Sequence, residues 1–272
     1  MSERNAKGKT PEDYGFHKKE TDFHIDFNEK SSVKKVIGVV SGKGGVGKSF
    51  VTSLLASEMQ RRGYRAAVLD GDITGPSQGK SFGIHEKATG EEGLIYPFVT
   101  KNGIQVITTN MILERDDQPV IWRGPMVANV LKQFYQEVYW NNVDYMFVDM
   151  PPGTSDVPLT AFQSFQLDGI IIVTSPQELV SMVVEKAINM ASMMNIKVYG
   201  LIENMSYVEC PNCGEKIMVF GRSHIQEIAD KYNLPVLARV PLDARISEAS
   251  DAGTMEDLEI DALKPAADFI EK

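Results

Sequence analysis

Gly42-Lys43-Gly44-Gly45-Val46-Gly47-Lys48-Ser49 satisfies the G-x-x-x-x-G-K-[ST] spacing of a phosphate-binding loop. Glycines at these positions let consecutive backbone N–H groups converge on phosphate oxygens, and a helix beginning at Lys48 turns its positive end toward the same point. Lys48 supplies a mobile cation, and the Ser49 hydroxyl is a magnesium ligand. Gly42, Gly44 and Gly47 also fit G-x-G-x-x-G, with Asp70 about where a dinucleotide fold places its ribose acid. The Lys48-Ser49 pair and a second acidic element far downstream decide for a nucleoside triphosphate, because a dinucleotide site needs neither.

Two acidic segments end hydrophobic strands: Asp70-Gly71-Asp72-Ile73-Thr74-Gly75-Pro76-Ser77 and Asp149-Met150-Pro151-Pro152-Gly153-Thr154-Ser155-Asp156. The carboxyl ends of parallel strands line one crevice, so both should converge on the phosphate loop. Magnesium takes few protein oxygens and keeps several waters, so Ser49 and Asp149, the latter through water, would complete its shell. Asp72, on a Gly/Pro-rich loop, is placed to orient the attacking water, while Asp70 reads equally as the cap of a structural turn.

The third constellation is Cys210-Pro211-Asn212-Cys213, the chain's two cysteines. Two thiolates in a tight knuckle can face one metal, yet structural zinc and four-iron clusters usually take four protein ligands. A second copy of the chain related by twofold symmetry would complete the set. Zinc with His224 as an added ligand and a redox dithiol are the alternatives. His17, His24 and His85 read as surface residues.

The elements that must carry these groups are legible from periodicity. Val36 to Val40 reads as a strand, and Val51, Leu54, Leu55 and Met59 follow at helical spacing with Gly63 as a stop. Further strands are expected at 66–70, 145–149, 169–174, 198–202 and 236–240, with helices at about 125–139 and 177–194. Asn102-Gly103 suggests a hairpin. Continuous apolar strands alternating with helices predict a doubly wound, mostly parallel α/β sheet with helices on both faces. Residues 1–33 are densely charged and are expected to form a flexible arm, leaving 34–272 as one domain with the cysteine pair in an insertion near 206–220.

The chain has 272 residues, 43% hydrophobic and 24% charged, which is ordinary globular usage. Its net charge of −9 argues against nucleic acid as the main partner. The first ten residues carry no apolar leader core, and no apolar run approaches the roughly 20 residues that span a bilayer, so a cytoplasmic protein is expected.

Lys43 within the phosphate loop, the Asp72 loop and Asp149-x-Pro-Pro-Gly resemble the deviant Walker A class, which includes nitrogenase iron protein, MinD and ParA. With Ile121-Trp122-Arg123-Gly124-Pro125-Met126 and the cysteine knuckle, the chain resembles the Mrp/NBP35 family of iron-sulfur cluster carrier ATPases, in the shorter bacterial form that lacks an N-terminal cysteine cluster. The resemblance implies slow ATP hydrolysis with Mg²⁺, Lys43 reaching across a homodimer to the partner's phosphates, adenine contacts from Asn204 and Pro241, and a [4Fe-4S] cluster shared between paired Cys210 and Cys213 for delivery to apo iron-sulfur proteins. Trp122 and Arg123 read either as interface residues or as packing and capping groups. The rival reading is a MinD- or ParA-like spatial organiser with a structural zinc knuckle. Six acids against two lysines over 255–272 disfavour a membrane-binding end, and the net charge disfavours DNA. Electron transfer, as in nitrogenase iron protein, would place the cluster ligands on separate loops.

Overall fold

The computed structural model describes residues 24–73, 75–113, 124–153, 156–177 and 180–272. Its elements are β1 (Val33–Ser41), α1 (Lys48–Arg61), β2 (Ala66–Asp70), α2 (Gln78–Ser81), β3 (Thr89–Glu91), β4 (Leu94–Tyr96), β5 (Phe98–Val99), β6 (Gln105–Ile107), α3 (Gly124–Gln136), β7 (Val143–Asp149) and α4 (Asp156–Ser164). The chain continues through β8 (Gly169–Thr174), α5 (Val180–Met193), β9 (Val198–Glu203), β10 (Val208–Glu209), β11 (Lys216–Ile217), α6 (Ile225–Tyr232), β12 (Val236–Arg239), α7 (Ala244–Ala252) and α8 (Lys264–Glu271).

Eight strands form one sheet in the order β12-β9-β8-β1-β7-β2-β6-β5. All neighbours are parallel except β5 and β6, the hairpin expected around Asn102-Gly103. Every residue of β2 and β8 is buried, as strands covered on both faces must be. In α3 the buried residues Val127, Leu131, Phe134 and Tyr135 recur at helical spacing and form the stripe that meets the sheet. The chain leaves β1 for β2 on one side and later returns to β8 on the other. The crevice therefore opens above β1, where the phosphate loop begins.

Residues 24–32, expected within the arm, are attached to the domain. Phe27 stacks on Tyr135 with ring centroids 4.1 Å apart, and Tyr135 stacks on Phe165 at 4.2 Å. Ile25 N–H donates to the Ser164 carbonyl, and the Asn28 amide donates to the carbonyls of Gln136 and Val138, each at 2.9 Å. Two apolar residues among the charges thus anchor 24–32 to the domain. Residues 1–23 with His17, the Ile121-Trp122-Arg123 stretch, Thr74, and Thr154-Ser155 lie outside the described residues. The β3–β4 ribbon had no counterpart in the sequence reading.

Candidate nucleotide site and metal knuckle

The segment 42–47 turns from β1 into α1. Gly47 caps the helix with φ +79°, where any other residue is strained, and an added Cβ would lie 2.1 Å from Asn204 Nδ2 and have to push that amide aside. That amide instead donates to the Val46 carbonyl at 3.0 Å. Gly42 backs onto α5, where a Cβ would meet Val183 Cγ1 at 2.1 Å. Gly44, Gly45, Gly47, Lys48 and Ser49 line a cleft of about 300 Å³, and Asp72, Gly75, Ser77 and Pro152 line it as well.

Strand register explains the acidic wall. β2 and β7 pair in parallel with Asp70 opposite Asp149, so two carboxylates 79 positions apart in sequence come side by side, both fully buried. The loop after Asp149 is tied to β1 by Met150 N–H to the Val39 carbonyl at 3.0 Å and Gly153 N–H to the Ser41 carbonyl at 2.9 Å. Lys48, only 5% exposed, donates to Asp149 Oδ1 in a buried ion pair. The Thr52 hydroxyl donates to the same oxygen at 3.3 Å, and Gln78 Nε2 donates to Oδ2 at 2.7 Å. The lysine expected at the phosphates therefore rests, in this structure, on the carboxylate expected at magnesium.

Asp70 fulfils the turn-cap reading. One of its oxygens accepts the N–H groups of Ser77 and Gln78 at 3.1 Å and the Thr108 hydroxyl at 3.0 Å; the other accepts Asp72 N–H at 3.3 Å. Burial, reinforced by the Asp149 charge, pushes its pKa up to about 7 against the pull of those donors and of Lys48. A carboxyl that binds its proton more tightly when folded stabilises the fold most below about pH 4, the unfolded value, and loses that contribution as pH rises toward 7. Asp70→Asn keeps an acceptor for the Ser77, Gln78 and Thr108 donors and removes the charge. We expect it to flatten the fall in stability between about pH 4 and 7, read as the denaturant midpoint against pH; an unchanged profile would exclude this titration.

Gln78 is a site residue that the sequence reading missed. Fully buried at the start of α2, it donates through Nε2 to Asp149 and to the Ser49 carbonyl at 3.1 Å, and accepts the Ser53 hydroxyl at 2.7 Å. It links the Asp72 loop to both expected magnesium ligands. Its partners lie 25 to 71 positions away, so no local spacing reveals it. Gln78→Leu should raise the Mg²⁺ concentration needed for nucleotide turnover by roughly tenfold, the scale of losing a supporting hydrogen bond to a metal ligand, while metal-free nucleotide affinity stays near wild type. Equal loss of both would make Gln78 a structural residue only.

The other expected residues are placed as follows. Asp72 lines the cleft, and its Oδ1 accepts the Gly75 N–H at 3.2 Å. Lys43 does not line the cleft and donates to Gln177 Oε1 at 2.8 Å. Asn204 is engaged with the phosphate loop. Pro241 lies beside it rather than in the cleft lining, on the loop after β12, where the Val240 carbonyl accepts Ser206 N–H at 2.9 Å.

The cysteines sit in a ribbon formed by β10 and β11, which pair antiparallel. Cys210 N–H donates to the Glu215 carbonyl at 2.9 Å, and Gly214 N–H donates back to the Cys210 carbonyl at 2.8 Å. The N–H groups of Asn212 and Cys213 point at the Cys210 sulfur and hold its thiol below the usual range, which favours the metal-binding thiolate. Cys213 is exposed. Among the described residues no group of three or more His, Cys, Asp and Glu is assembled for a metal, and His224 pairs with Glu227 at 3.2 Å instead of joining the cysteines. The zinc alternative with His224 as a ligand within one chain is therefore not realised. The donor set fits a sulfur-seeking metal and offers two of the four ligands that such centres usually take. Beyond the knuckle Ile217, Met218, Val219 and Phe220 stand 40–50% exposed, a consecutive apolar strip beside the thiolates.

A parallel sheet whose first strand runs through a glycine-rich loop into a helix bearing Lys48 and Ser49, with Asp149 at the end of the neighbouring strand, defines a P-loop NTPase. More narrowly, the profile of the ParA-group family described as NUBPL iron-transfer P-loop NTPase matches residues 32–271, and the chain belongs to that family. It is 45% identical over 234 residues to the iron-sulfur cluster carrier protein of Clostridium perfringens, covering 83% of this chain and 82% of the relative. The protein of the same description from Methanocaldococcus jannaschii is 44% identical over 226 residues, 82% and 78% of the two chains. A nucleotide-binding protein from Archaeoglobus fulgidus, solved with ADP, superposes with a TM-score of 0.74 at 39% identity, over 83% of this chain and 88% of that one. The cell division ATPase MinD of Pyrococcus furiosus shares the fold, with a TM-score of 0.60 at 20% identity over 87% and 98% of the chains. No helix among the described residues is long and apolar enough to cross a membrane.

Proposed function

We propose that this chain is a nucleotide-dependent iron-sulfur cluster carrier that binds and slowly hydrolyses ATP with Mg²⁺, and that its cargo is a [4Fe-4S] cluster held between two copies on Cys210 and Cys213. One observation carries the proposal: a cysteine pair whose Cys210 is preset by backbone N–H groups, with no third ligand assembled beside it among the described residues, stands on a P-loop NTPase of an iron-transfer family. Two such pairs related by a twofold axis make the four-cysteine set of a four-iron cluster. The exposed strip 217–220 supports the same arrangement, since a second copy would cover apolar surface beside the shared centre.

In the nucleotide site the phosphate loop holds the phosphates on its N–H groups. Lys48 neutralises them, and Ser49 and Asp149 would hold Mg²⁺, whose charge offsets that building up on the transferred group. Asp72 orients water at the γ-phosphate. Lys43, free of its own cleft, serves the partner's. The adenine contacts are assigned to Asn204 and Pro241. Apo iron-sulfur proteins are the recipients. Expected from anaerobic purification are about four irons and four sulfides per two chains. Zinc with no sulfide would replace this reading by a structural knuckle.

A further inference from the structure

The phosphate loop and both ends of the metal knuckle meet at two consecutive residues. β9 ends in Glu203, 1% exposed, followed by Asn204, 4% exposed. Asn204 N–H donates to the Thr174 carbonyl at 2.8 Å, which fixes its backbone, and its side chain holds the Val46 carbonyl inside the phosphate loop. Glu203 faces the other way. Its Oε2 accepts the Ser206 hydroxyl at 2.6 Å, and its Oε1 accepts that of Ser223. Ser206 and Ser223 bracket the segment that carries Cys210 and Cys213. Ser223 Oγ also accepts the N–H of Ile225 at 3.2 Å, where α6 begins, and Arg239 Nε lies 4.0 Å from Oε2. The nucleotide chemistry makes no use of Glu203.

We infer that Glu203 is a positioning residue that couples the nucleotide state of the phosphate loop to the metal knuckle, with Asn204 as the contact that senses the loop. This regulation rests on the proposed roles of the two sites. A buried carboxylate is tolerated only with its oxygens satisfied, and here the two hydroxyl donors are the two stems of the knuckle. Hydrogen bonds to a charge in a low-dielectric interior are strong, so the stems move with the end of β9 or lose those bonds. On the other side, the Asn204 amide fills the space a side chain at Gly47 would take. Phosphate binding recruits the N–H groups of 44–48, and any shift of the Val46–Gly47 peptide presses on Asn204 and, one peptide bond away, on Glu203. Linkage makes the effect reciprocal: a metal that fixes the knuckle must change nucleotide affinity by the factor with which nucleotide changes metal affinity.

Being intermediate between two sites does not establish coupling, so the experiment reads the coupling itself. It uses full-length wild type, Glu203→Gln and Ser223→Ala. Glutamine keeps the size but removes the charge and turns one acceptor into a donor, so the serine it faces must reverse its hydrogen bond and the charge-assisted strength of both contacts is lost; Ser223→Ala cuts one stem and leaves the Ser206 contact. Two quantities are measured: the Mg·ADP-dependent change in amide hydrogen exchange over 206–223, and the ratio of ADP affinities of metal-free and iron-loaded protein. Wild type should show an exchange change in 206–223 and an affinity ratio of about fivefold or more. Both variants should bind ADP and iron, yet lose the exchange response and bring the ratio close to one. Wild-type exchange response and ratio in Ser223→Ala, or no response of 206–223 in wild type, overturns the inference. If Glu203→Gln fails to fold, Ser223→Ala decides alone. If wild type takes up no iron at Cys210 and Cys213, the carrier reading falls, while the exchange measurement still decides this inference with nucleotide alone.

Discussion

Lys48→Ala is expected to abolish nucleotide turnover and to destabilise the fold by about 3–5 kcal/mol, because the lysine does two things at once. In the proposed turnover it is the cation that neutralises the phosphates. In the nucleotide-free fold it is the partner of Asp149, which is fully buried and stands in register with a second buried carboxylate, Asp70. Alanine would leave that charge without its cation. The two effects separate through a second substitution: Lys48→Ala with Asp149→Asn removes the orphaned charge and keeps an oxygen for the Gln78 amide. The double variant should recover most of the lost stability and none of the turnover. Denaturant midpoints and ATP turnover on the three proteins check this. A Lys48→Ala protein as stable as wild type would mean that the ion pair contributes nothing net, and wild-type turnover would remove Lys48 from the chemistry.

Legibility in the sequence followed the range of the physical constraint. The phosphate loop could be read because its spacing is dictated by the ligand: eight consecutive residues must present N–H groups, a cation and a hydroxyl to one phosphate chain. β2, β7 and β8 could be read because strands covered on both faces must be apolar almost throughout. What required the fold was set by tertiary partners. Gln78 is satisfied by Ser49, Ser53 and Asp149, and Glu203 by Ser206 three positions on and by Ser223 twenty positions on. The register that sets Asp70 against Asp149 is likewise a property of the sheet. The arm was overextended because average composition over 1–33 conceals Ile25 and Phe27, and one aromatic ring that completes a stack with Tyr135 and Phe165 outweighs its charged neighbours. Asn204, assigned to the adenine by resemblance, has a contact that resemblance did not supply: it holds the phosphate loop.

Replacement of either cysteine should remove bound iron altogether while leaving the nucleotide site intact. In the proposed arrangement each chain offers two cysteines, so one substitution per chain halves the four-cysteine set, and a cluster does not persist on two ligands placed for four. The two positions differ in what they contribute beyond the bond. Cys210 is the thiolate that the knuckle has already prepared, through the N–H groups of Asn212 and Cys213, and Cys213 is the exposed one of the pair. In Cys210→Ala the Glu215 and Gly214 backbone bonds can remain, since they involve the N–H and carbonyl of residue 210 and not its side chain. The ribbon should therefore keep its shape, which makes loss of iron attributable to the ligand and not to unfolding. Nucleotide affinity of Cys210→Ala and Cys213→Ala should stay within about twofold of metal-free wild type, because neither residue lines the phosphate cleft. Iron and sulfide analysis, the visible absorption of the cluster and sedimentation on anaerobically prepared protein provide the readouts. Iron and sulfide retained by a protein lacking both cysteines would move the cargo elsewhere on the chain and end the assignment of this knuckle as its holder.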